Sequence, residues 1–73
     1  MQIKFGDKVK ILKDTCEGFY SDLVGKTVSV VDVYDNDSKN DTMLLVTGTG
    51  RQTKSEYLED DEEIVWIGDV VKV

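Results

Sequence analysis

The longest β-branched run in the chain, Lys26 to Tyr34, changes phase halfway along. Val28 and Val30 fall on one face of an extended strand, whereas Val31 and Val33 fall on the other. Side chains that alternate strictly cannot do both without an extra residue or a sharp bend near Val30. Such a bend lets one long strand serve two sides of a small barrel. The rest of the chain agrees. It has no proline, and its other short apolar runs are separated by Gly, Asp, Asn and Ser clusters that favour turns.

Val9 and Ile11 alternate with Lys8 and Lys10, which predicts a first strand over residues 7–13. A long loop, "DTCEGFYSDLVG", leads to the bent second strand at 26–34. "DNDSKND" is a polar hairpin connection, and a mostly apolar third strand follows at 42–47. The second long loop, "GTGRQTKSEYLEDD", has room for one short helical turn in its second half, with Ser55 as N-cap and Glu56 near the positive end of the dipole. A fourth strand is expected at 62–67, with Ile64 and Trp66 on one face and Trp66 in the core. Gly68-Asp69 makes a tight turn into a fifth strand at 70–73. The expected fold is all-β: one domain over residues 1–73, a five-stranded barrel with two long loops and one short helical turn. Closure removes sheet edges that so small a domain could hardly cover otherwise.

Composition narrows the chemistry. A chain of 73 residues buries only about 60% of its unfolded surface, which leaves little for a deep cavity. The sole cysteine, Cys16, excludes an internal disulfide framework and reads as an inert reduced thiol. There is no histidine, so the usual general base and zinc ligand are both missing, and with them any Ser-His-Asp or Cys-His arrangement. Asp35 and Asp37 hint at a calcium loop. Lys39, Asn40 and Val46 then stand where a ligand, a glycine and the closing glutamate are needed. "GTG" before Arg51 lacks the spacing of a phosphate loop. The expectation is a protein that is not an enzyme, with no catalytic, metal or cofactor-binding residues. The opening "MQIKFGDKVKIL" has neither signal-peptide nor membrane-span character, which points to the cytoplasm.

Net charge is −6 and unevenly spread: residues 1–13 sum to +3, and the remainder to −9. An acidic chain repels a phosphate backbone, which argues against general nucleic-acid binding. One basic set, Lys4, Lys8, Lys10, Arg51 and Lys54, keeps that alternative open. The carboxylates Glu59 to Glu63 suggest another alternative, a mimic of nucleic acid. The aromatic residues outside the strands favour a third class. Phe19, Tyr20 and Tyr57 lie in the two long loops, ringed by Glu17, Asp22, Glu56 and Asp60. Exposed, they form a protein-docking surface with apolar anchors and an acidic rim; folded back, Phe19 and Tyr20 cap the barrel instead. The expected partner is a protein with a basic or mixed-charge patch, met by a monomer or weak oligomer.

"FGDKVKIL", "LVGKTVSVVDV" and the closing "WIGDVVKV" together resemble the SH3-like barrel proteins of bacteria and their phages. Among these are the KOW-type modules of ribosomal and transcription factors and the small accessory barrel protein of photosystem I. Gly6, Asp7, Val9 and Ile11 match the first strand of that pattern; Gly25, Val30 and Val33 match the second; 66–73 match the closing element. The resemblance implies the barrel architecture and an accessory or regulatory role. Val28 stands where the KOW pattern has its second glycine, and the acidic stretch 56–63 is extra relative to the photosystem barrel. The "ALYDY" motif and paired tryptophans of signalling SH3 domains are absent.

Overall fold

A computed structural model of the chain describes residues 3–34, 42–53 and 55–73. The polar connection at 35–41, with its calcium-like spacing, and Lys54 lie outside the described residues. Among the described residues five strands form: β1 (Lys8–Ile11), β2 (Thr27–Tyr34), β3 (Met43–Thr47), β4 (Glu62–Trp66) and β5 (Val70–Lys72). They make one antiparallel sheet in the order β4-β3-β2-β1-β5. Each strand falls close to where period-two alternation puts it, with the ends of β1 trimmed.

The phase change in β2 is a bulge. Val30 pairs with Val46 and Asp32 with Leu45, so Val31 is the extra residue. Before the bulge, Val28 and Val30 point into the core; after it, Val33 packs against that core from the other phase. Val9 and Ile11 of β1, Leu44 and Val46 of β3, Val65 of β4 and Val70 of β5 complete a core that draws on every strand. Lys8 and Lys10 alternate outward, as the pattern of β1 requires.

Among the described residues, the sheet does not close through hydrogen bonds. β4 and β5 end it, linked by a 3₁₀ turn at Ile67–Asp69 rather than by a ladder. The free flank of β4 is met instead by the first long loop, where Trp66 N–H donates to Tyr20 Oη.

Two expectations need correction. The segment 55–61 forms turns and no helix. Ser55 Oγ does accept Tyr57 N–H at 3.2 Å, so the cap exists without the helix it was expected to start. The short helical turns lie at Ser21–Leu23 and Ile67–Asp69. Trp66 is not core either. The inward face of β4 carries Glu63 and Val65, and Ile64 and Trp66 lie half-buried on the other face. Among the described residues, no helix is long and apolar enough to cross a membrane.

Candidate docking cleft between the two long loops

Loops 14–25 and 48–63, far apart in sequence, meet through Arg51. Its Nη2 donates to the Phe19 carbonyl at 3.0 Å and to Glu63 Oε2 at 3.1 Å, while Nη1 donates to the Gln52 carbonyl at 3.0 Å. Nε lies 2.7 Å from Asp22 Oδ2, a close ion-pair contact rather than a directed hydrogen bond. The planar guanidinium thus joins both loops and β4 at once, which a lysine could not do. It also supplies the counter-charge that lets Glu63 sit inside with only 2% of its surface exposed.

Each loop is also braced internally. In the first, Asp14 accepts from the Cys16 amide at 2.8 Å and from Ser21 Oγ at 2.7 Å. The Ser21 hydroxyl, ahead of the backbone amides, holds the Asp14 carboxyl below its ordinary range. Asp69, 1% exposed, accepts from the Thr15 amide at 2.9 Å, from Thr15 Oγ1 and from Tyr20 Oη. Burial disfavours its charge, but the bonds from Tyr20 and Thr15 outweigh that and keep its carboxyl below the usual range. Burial first, and the Asp69 bond second, push the Tyr20 phenol well up, so it stays a neutral donor. The ligand atoms of Asp14, Cys16 and Asp69 lie within 4.8 Å of one another. Both carboxylates are already engaged by donors of the first loop, and the cluster serves to pin that loop to the Ile67–Asp69 turn.

The second loop uses its own acidic run in the same way. Asp61 accepts from the Gly50 amide, its N–H donates to the Arg51 carbonyl at 3.0 Å, and Glu62 Oε1 accepts from the Glu59 amide at 3.1 Å. Lys26 Nζ donates to the Thr49 carbonyl at 2.7 Å, fixing the base of the loop to the start of β2.

Between the two loops opens an apolar cleft of about 300 Å³. Cys16 and Phe19 line it from one loop, Ser55 and Leu58 from the other, Glu63 and Ile64 from β4. The two loops that supply its walls are also strongly acidic in sequence. Segments 14–25 and 48–63 hold nine carboxylates against Arg51 and Lys54, a net −7, while the whole chain carries −6.

The structure brings part of the expected docking set together. Phe19 is half-exposed at the cleft, Asp22 touches Arg51, and Glu17 and Asp60 are exposed in their loops. Tyr57 stands almost fully in solvent at 92% exposure. Tyr20 is fully buried and takes the capping role rather than the surface one, because its hydroxyl finds buried partners that Phe19 could not use. Lys4, Lys8 and Lys10 are exposed, Lys8 and Lys10 on the outer side of β1, while Arg51 is turned into the loop junction. Sequence reasoning missed Leu58, Ile64 and Cys16 as cleft walls and Arg51 as the clamp. The single arginine of the sequence, set in a loop rich in carboxylates, was the available signal.

No protein-family model matches this chain, and neither a curated protein nor a solved structure matches it.

Proposed function

We propose that this chain is a non-enzymatic protein-binding module of SH3-like architecture, acting in an accessory or regulatory role in the cytoplasm of a bacterium or phage-infected cell. The observation that carries the binding reading is an apolar cleft walled by the two loops whose sequences sum to a net −7. Apolar walls provide anchoring, and a carboxylate rim steers a basic partner and sharpens discrimination. The SH3-like reading rests on "GDKVKI" leading into β1, which its last four residues form, and on "WIGDVVKV" spanning the β4–turn–β5 passage. A nucleic-acid reading has less support, because Arg51 of its basic set is occupied by Asp22 and Glu63.

Affinity capture from host lysate tests the proposal, comparing the parent chain with Phe19→Ala and Leu58→Ala. A basic protein retained by the parent and lost with both variants, at unchanged unfolding midpoint, supports it. Equal retention by the folded variants removes the cleft from consideration. A salt-dependent electrophoretic shift of RNA or DNA in place of any protein favours the nucleic-acid reading.

A further inference from the structure

β4 ends the sheet, and its ladder with β3 uses alternate residues. Ile67 N–H donates to the Thr42 carbonyl at 3.1 Å, and Val65 and Glu63 stand opposite Leu44 and Val46. The backbone groups of Glu63, Val65 and Ile67 therefore face β3, and those of Glu62, Ile64 and Trp66 face away. Two of the three outward amides are taken within the chain. Glu62 N–H donates to the Glu59 carbonyl at 3.1 Å, and Trp66 N–H donates to Tyr20 Oη at 3.2 Å. Among the described residues, Ile64 N–H reaches only the carboxylate of its neighbour, Glu63 Oε1, at 3.3 Å, beyond the normal range for such a bond. Ile64 also lines the cleft, between the walls made by Phe19 and Leu58.

We propose that the cleft receives an extended, cationic peptide segment of a protein partner, whose main chain pairs with the outward N–H and C=O of Ile64. This rests on reading the cleft as a docking surface and specifies what enters it and how. Strand addition draws affinity from main-chain hydrogen bonds and specificity from pockets for alternate side chains. Here the bonds already made by Glu62 and Trp66 confine the pairing to a single bridge. The apolar walls take one anchoring side chain of the segment, and its lysines or arginines meet the surrounding carboxylates. A nucleic-acid strand is repelled by those carboxylates and has no peptide main chain to pair with. Glu63, released from Ile64 N–H, keeps its bond to Arg51 through Oε2.

The probe is a short end-blocked peptide alternating lysine and valine, titrated into the full chain while amide chemical shifts are followed. Two analogues carry N-methyl groups on one or the other backbone edge. The expected result is saturable binding that shifts the amides of Phe19, Leu58 and Ile64 and weakens with salt. One of the two N-methylated analogues binds about tenfold more weakly, the value of one or two hydrogen bonds. Ile64→Pro has the same effect, since it deletes an amide that faces away from β3, as prolines of edge strands do. If both analogues and Ile64→Pro bind as the parent pair does, strand pairing is overturned, although weakening by Phe19→Ala still supports the cleft. A peptide that leaves these amides unmoved overturns the proposal, as does single-stranded DNA that moves them.

Discussion

Tyr20 Oη donates to the carboxylate of Asp69, 49 residues away in sequence, and accepts Trp66 N–H at 3.2 Å in return. One phenol thus ties the first long loop to the last turn and covers an outward amide of the edge strand β4. The loop that forms one wall of the cleft is held by a buried polar contact rather than by apolar packing alone.

Tyr20→Phe keeps the ring and deletes the hydroxyl. It leaves Trp66 N–H without its acceptor and Asp69 with Thr15 as its remaining hydrogen-bond donor. The expected loss is about 2 kcal/mol of unfolding free energy, measured by urea denaturation. Phe19→Ala, on a half-exposed neighbour, is expected to change stability far less. The reverse order of the two variants contradicts the assignment of Tyr20 as the buried member.

Asp69 gives the molecule an acid-sensitive contact. Its carboxyl lies below the ordinary range when folded, so its stabilising contribution is complete above the unfolded value near about pH 4 and is lost as pH falls through the folded value. Asp14, held down first by Ser21, adds in the same direction. Urea midpoints of the parent should therefore fall between about pH 5 and pH 3. Asp69→Asn should be less stable at neutral pH and show a shallower fall over the same interval. Parallel pH profiles would contradict the assignment.

Arg51 and Glu63 form a partly buried pair, with side chains 15% and 3% exposed. Arg51→Met leaves the glutamate buried without its counter-charge and should cost about 3 kcal/mol. Arg51→Met combined with Glu63→Leu should be clearly more stable than Arg51→Met alone, because the stranded charge is gone. Additive losses in the double variant would show that the two side chains are not coupled.

Gly25 has φ +92°, and an added Cβ would meet nothing within 4 Å. Its amide donates to the Ile11 carbonyl at 2.7 Å where the first loop turns into β2. Gly25→Ala should cost about 1–2 kcal/mol through backbone conformation alone. A neutral substitution, measured by thermal or urea unfolding, would mean that this turn relaxes to another geometry.

Much of the fold was readable from alternation. Strand period, the turn at Gly68-Asp69 and the bulge after Val30 are local properties, and the structure places each where the pattern does. The failures fall where two choices are locally equivalent. In β4, the pairs Ile64/Trp66 and Glu63/Val65 alternate equally well, and hydrophobicity favours sending Trp66 inward. The structure sends Glu63 inward instead, because Arg51 from the second loop reaches it there. Phe19 and Tyr20 are adjacent aromatic residues in one loop, and only the second finds partners for a buried hydroxyl. The acidic run Glu59 to Glu63 likewise divides by what it meets: Glu62 and Asp61 accept amides of their own loop, and Glu63 pairs with Arg51.

The sequence by itself determined the all-β class, the order and approximate limits of five strands, and the bend in β2, because side-chain alternation and turn chemistry act over a few residues. Only the tertiary structure decided which face of β4 is buried, which loop aromatic is exposed, and that Arg51 clamps the two long loops beside an apolar cleft. Those outcomes depend on long-range partners: a buried charge or hydroxyl is tolerated only where a distant residue arrives to satisfy it.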